Sequence, residues 1–239
     1  MKWTEIDTEL YIELFQLQQE GLSPTEYWLE VVSILLEMDV EELEELEPSE
    51  FVQLKKSVAW IVFEPPREIL PLLNGHKLIP FTKLSLGQLV DLNMFVTTAP
   101  PLEVIHKVCA ILYGATSENF ESMQMVVKAT PIAPMYTALT DFLQYRSKLL
   151  ENYSELFDTP DELEEGEEET EEDKQVNVYN KWAWQKMIYD LASGDIVKAK
   201  QVTELPHIMC FNWLLMQKEL KLNQPTQTAA CPYFGAFQR

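Results

Sequence analysis

Glycine is scarce in this chain, with seven in 239 residues. None of them falls into GxGxxG, GxxxxGKS/T or GxSxG. Loops that cradle phosphate and elbows that carry a nucleophile need glycine where the backbone turns sharply or approaches a ligand, so both are excluded. Histidine is scarcer still: His76, His106 and His207 form no HExxH pair, and the DxDxDG spacing of calcium loops is missing. The three cysteines, Cys109, Cys210 and Cys231, are odd in number, widely spaced and without a CxxC pair. They make neither a disulfide framework nor a zinc site, and they fit a reducing cytosol. The longest strongly apolar run, Ile208 to Met216, is nine residues with one Asn, about half of a membrane span. Glu5, Asp7 and Glu9 rule out a secretory signal at the N-terminus. The sequence therefore predicts a soluble, intracellular chain.

Positive charge is also short. Eighteen bases face 39 acids, a formal net charge of −21. Such a surface repels phosphate backbones and anionic lipid headgroups, which excludes nucleic acid and membrane surfaces as partners of the whole chain. Basic segments of other proteins are favoured instead. The charge is uneven. Residues 161–173 read DELEEGEEETEED, ten acids in thirteen. Before this run 25 acids face 10 bases, and after it 4 acids face 8 bases, so the flanking parts carry about −15 and +4. A run of that density repels itself and buries nothing, so residues 158–175 are expected to be a flexible acidic linker. The expected layout is a helical N-terminal domain over 1–157, the linker, a small helical C-terminal module over 176–222 and a flexible tail over 223–239.

What the chain has in quantity is helix punctuation, on a composition 46% hydrophobic that can build a core. Ser23-Pro24-Thr25-Glu26 and Ser85-Leu86-Gly87-Gln88 are capping boxes, in which a hydroxyl takes an orphan backbone N–H and the fourth residue reaches back. Tyr27, Val31, Ile34 and Leu35 follow at helical spacing. Asp39 and Ser49 are read as starting two further helices. Leu78–Leu84 could be a short strand or an extended connector after Asn74-Gly75. Helices are expected over 86–96 and 102–113, with Gly114 closing the second. Ser33–Leu36 and Ala110–Tyr113 match at an offset of 77 residues, as do Leu43 with Phe120 and Leu46 with Met123. The pattern suggests packed helical hairpins. In the C-terminal module, helix 178–192 carries Trp184, Ile188 and Leu191 on one face, and Gly194 and Asp195 break to a short helix 196–201. Thr203 is read as capping a last helix that is apolar nearly all round, hence buried against the N-terminal domain or a partner. The fold class is mainly α.

No residue set carries recognisable chemistry. His106 and Cys109 are three apart on one helix and could form a thiolate–imidazolium pair, or could be a packed thiol beside a boundary imidazole. Acidic pairs are too common to single out two carboxylates. No catalytic residue, metal ligand or cofactor is assigned. Trp182, Trp184, Ile208, Phe211, Trp213 and Leu215 are the candidate partner-binding residues, because large apolar side chains crowd this short module and tryptophan is enriched at interface hot spots.

The stretches LSLGQLVDLNMFV and PLEVIHKVCAILYG, and the longer KWAWQKMIYDLASGDIVKAKQVTELPHIMCFNWLLMQKE, resemble small acidic proteins of bacteriophage tail gene clusters. The three-part layout is similar to the tail assembly chaperones of long-tailed phages. The resemblance spans roughly 20–150 as pattern and 180–220 as motif. It implies a non-enzymatic protein of the host cytoplasm that covers the tape measure protein and recruits tail tube subunits through its C-terminal module. No individual residue role is carried over. A structural virion protein (baseplate, tail-completion or head-associated subunit) stays open as the alternative, as does self-association. An acidic DNA mimic is a weaker fit, since its charges would need a rigid surface.

Overall fold

Helix starts follow local hydrogen bonding along the chain. The computed structural model describes residues 2–157 and 183–222, and over these the protein is mainly helical. The linker and tail expectations fall wholly outside the described residues, as does the start of helix 178–192. The chain divides into two compact units, Met1–Asn152 and Tyr153–Arg239.

Unit 1 contains α1 (Thr8–Leu17), α2 (Pro24–Leu36), α3 (Val40–Glu44), α4 (Pro48–Val58), α5 (Leu86–Thr98), α6 (Ile105–Leu112), α7 (Phe120–Lys128) and α8 (Ile132–Asn152). Both capping boxes are formed: Glu26 N–H donates to Ser23 Oγ and Gln88 N–H to Ser85 Oγ, with the return bonds from the cap N–H groups in place. Asp7 caps α1 by accepting from Leu10 N–H at 2.8 Å. The helix read from Ser49 instead starts at Pro48, with Glu47 as the cap residue and Glu50 closing the box. Proline at the first position needs no donor, so it extends the helix one residue upstream. The helix expected over 102–113 is shorter, because residues 101–104 form turns after Pro100-Pro101.

The core of unit 1 is built around α6. Ile105, Val108, Cys109, Ala110 and Leu112 are all fully buried, and α5, α7 and α8 pack around them. Each large aliphatic side chain so buried contributes about 1.5–3 kcal/mol. Gly114 ends α6 at φ +79°, with Ala115 N–H donating to Ala110 C=O. This is the αL closure expected there, and it satisfies a carbonyl that the helix cannot. The N-terminus is tied to the α7–α8 junction: Thr8 N–H donates to Thr130 C=O and Ile132 N–H to Ile6 C=O, both at 2.9 Å. Arg146 on α8 donates to Asn93 Oδ1 on α5 at 2.8 Å.

The connector between α4 and α5 resolves the ambiguity around Leu78–Leu84. Two-residue strands β1 (Leu72–Leu73) and β2 (His76–Lys77) pair antiparallel across Asn74 and Gly75, both at positive φ. That is the hairpin Asn-Gly favours. Residues 78–80 then form a connector outside helix and strand, with Ile79 N–H donating to Leu112 C=O at 2.8 Å, and a single 3-10 turn covers Phe81–Lys83.

Unit 2 holds α9 (Ser154–Phe157), a helix over 183–191 (α10), α11 (Ile196–Glu204) and α12 (His207–Leu222). The units part at residue 152 rather than 157 because Tyr153 and Phe157 pack within unit 2, their ring centroids 5.1 and 5.6 Å from that of Phe211. Gly194 turns the chain at φ +76°, and Asp195 caps α11 through Val197 N–H. Helix α11 runs past residue 201 to Glu204, so Thr203 lies inside it. Its hydroxyl donates to Lys200 C=O at 2.7 Å instead of capping α12. Bonding back along its own helix competes with capping for such a hydroxyl. Helix α12 starts directly after Pro206.

Candidate functional site

The last helix is apolar nearly all round in sequence and is read as buried against the N-terminal domain or a partner; unit 2 itself covers one side of it. His207, Cys210 and Phe211 are buried within unit 2. Phe211 is the hub: Tyr153, Phe157, Trp184 and His207 all pack on it, at ring-centroid distances from 5.1 to 6.2 Å. Tyr153 also donates to Asn212 Oδ1 at 2.8 Å. On the other side of the helix, Met209, Trp213, Met216 and Leu220 are 51%, 53%, 41% and 58% exposed. These four recur at spacings of four, three and four residues. That is the rhythm of a seam that receives another helix.

A shallow, open depression of about 510 Å³ runs along this seam, lined by Pro206, Ile208, Met209, Asn212, Trp213 and Met216. Trp213 supplies a rigid anchor and the methionines supply adaptable packing surface. A run of four large apolar side chains left on one exposed strip marks an interaction surface better than scattered apolar residues do.

The sequence-predicted residues therefore separate. Trp213 and Ile208 line the seam. Phe211 faces the interior of unit 2 and is a packing residue. Trp184 is half-buried in the same aromatic cluster, 5.2 Å from Phe157. Leu215 is half-buried and does not line the depression. Trp182 lies outside the described residues. Met209, Met216 and Leu220 were not singled out from the sequence, although their four–three–four spacing with Trp213 was legible there.

The His106–Cys109 pair does not make a nucleophile. Cys109 is fully buried, its thiol donates weakly to Met135 C=O at 3.5 Å, and burial pushes its pKa up. Desolvation, reinforced by Lys128 and Lys107, lowers the His106 imidazole to about 4. Both groups are thus neutral at pH 7, the reverse of a thiolate–imidazolium pair. His106 Nδ1 is buried without a hydrogen-bond partner. Among the described residues no group of His, Cys, Asp or Glu is placed to hold a metal ion, and no helix is long and apolar enough to cross a membrane.

The depressed imidazole has a consequence for stability. The unfolded chain, with an ordinary histidine pKa of about 6.5, binds more protons than the folded chain between that value and about 4. Stability from His106 is therefore complete above the unfolded pKa and is lost as pH falls through the window. His106→Gln is expected to remove this part of the acid sensitivity. In urea unfolding at pH 7 and pH 5, the wild type should lose about 1–2 kcal/mol more than the variant, allowing for partial solvent access. Equal losses would mean that His106 titrates normally in the fold.

No family model, curated protein or solved structure matches this chain.

Proposed function

We propose that this protein is a non-enzymatic tail assembly chaperone of a long-tailed bacteriophage, acting in the host cytoplasm. The exposed Met209–Trp213–Met216–Leu220 seam of α12 is the observation that carries the reading. A helix whose other side anchors a small aromatic core, and whose seam is left open, is suited to reversible capture of an apolar segment of another protein. This is helix-in-groove recognition seen from the helix side. The sequence resemblance supplies the partners: the tail tube subunit at the C-terminal unit, and the tape measure protein covered by the acidic helical N-terminal unit. Reversibility suits a chaperone, since the seam offers only a few anchor side chains and no deep pocket. The net charge of −21 keeps copies apart and favours basic surfaces on partners.

Co-expression of the full chain with the tape measure and tube proteins of the same phage is the direct test. A soluble complex containing all three is expected, together with absence of the chain from mature particles by mass spectrometry. Stoichiometric presence in mature particles would overturn the chaperone reading and point to a structural subunit of the baseplate, tail end or head.

A further inference from the structure

One of the concavities of unit 1 lies beside α5. On α5, Gln88, Asp91 and Phe95 share one face at three- and four-residue spacing. Together with Ile111, Ala115, Thr116, Ser117 and Phe120 they line a cavity of about 430 Å³ between the end of α6 and the start of α7. Phe95 and Phe120 stack nearly parallel, with ring centroids 6.2 Å apart and planes within 6°. Asp91 is the only carboxylate in this lining. Among the described residues it has no hydrogen-bond or ion-pair partner. The chain's own neighbouring cation, Lys107, sits over the Phe95 ring at 5.6 Å and does not pair with it. The Ser117 hydroxyl is likewise without a partner among the described residues.

We infer that this cavity receives a lysine or arginine side chain of a protein partner. The phenyl rings, Ile111 and Ala115 cover its aliphatic stem, while the Asp91 carboxylate and Ser117 Oγ accept from its cationic head. Charge complementarity selects this occupant. Acids outnumber bases 25 to 10 before the acidic run, and Glu118 and Glu121 flank the lining residues in sequence, so a basic side chain is drawn to this part of the chain and an acidic one is repelled. The carboxylate is also primed for neutralisation. Although Asp91 is exposed to solvent, its apolar surroundings raise its pKa above the ordinary value by desolvation. A cation seated there recovers the interaction that lost hydration took away. An apolar wall next to a single carboxylate fits a long, amphipathic cationic side chain better than a bare metal ion, which would need several oxygen ligands.

Amide NMR of the full chain tests this with N-acetyl-lysine methylamide and N-acetyl-arginine methylamide, and with N-acetyl-norleucine methylamide as the uncharged match. Saturable shifts confined to 88–95 and 111–120 are expected with at least one of the two cations. Binding should be at least tenfold weaker for norleucine, and tenfold weaker for the cation in Asp91→Asn. Because Asp91 is exposed, the variant should keep its fold, verified by unchanged amides elsewhere. At saturation the Asp91 carboxyl carbon should titrate at lower pH than in the free protein. Equal binding of norleucine would reduce the cavity to an apolar pocket and overturn the inference. So would full retention of binding in Asp91→Asn, or unsaturable shifts spread over the acidic surface. None of these outcomes bears on the α12 seam, so this inference and the chaperone reading stand or fall separately.

Discussion

Phe211→Ala is expected to destabilise unit 2 by about 3–5 kcal/mol, the range for removing a fully buried phenyl ring. Phe211 is 0% exposed and is packed by four rings from three segments: Tyr153 and Phe157 before the acidic run, Trp184 on α10 and His207 one turn earlier on α12. Alanine leaves a cavity that these large, rigid side chains cannot collapse into without leaving their rotamers. A unit this small has little stability in reserve. The near-ultraviolet circular dichroism contributed by its tryptophans should therefore fade before the α6-centred core of unit 1 unfolds, giving two transitions in urea. Phe211→Leu keeps most of the volume and should cost appreciably less. A loss below about 1 kcal/mol for the alanine variant would show that the aromatic cluster is not what holds unit 2 together.

Trp213→Ala should do the opposite. Its side chain is 53% exposed, so its removal costs little apolar burial, and unfolding free energy should stay within about 0.5 kcal/mol of the wild type. On the proposed function, capture of a tail tube subunit should weaken about thirtyfold, the 2 kcal/mol typical of an interface tryptophan. The two residues lie two positions apart, so the pair separates fold from recognition on one helix. Titration calorimetry of the full chain with purified tube subunit measures the second effect. An unchanged affinity would remove Trp213 from the interface, and a large loss of stability would place it in the core instead.

The helical class was legible because local chemistry wrote it. Ser23 with Glu26, and Ser85 with Gln88, each satisfy orphan N–H groups through side chains three residues apart, and no distant contact is needed to form those caps. Gly114 was readable for the same reason, since glycine adopts positive φ without cost. Glu37 closes α2 at φ +53° and Ser193 turns at the same value, and neither residue type announces it. At Glu37 the turn is supported from nearby, where Ser33 Oγ donates to Met38 C=O at 2.6 Å beyond the end of α2. The end of α11 shows the same limit: Thr203 carries a cap signal, yet its hydroxyl has an equally local alternative inside the helix.

The candidate seam was legible as composition and not as direction. Ile208, Met209, Phe211, Trp213, Leu214, Leu215 and Met216 make α12 apolar nearly all round, so periodicity alone could not say which side was covered. The sequence by itself determined that this chain is mainly helical, acidic, poor in glycine and without a recognisable nucleotide, metal or nucleophile motif, because those properties are set by residue type and near-neighbour bonding. Only the tertiary structure decided that Phe211 points inward and Trp213 outward, and that the carboxylate of Asp91 lines an aromatic-walled cavity without a partner. Burial is a property of what a side chain meets across the fold. In unit 2 that depends on Tyr153 and Phe157 meeting Phe211, side chains more than fifty residues apart in the chain.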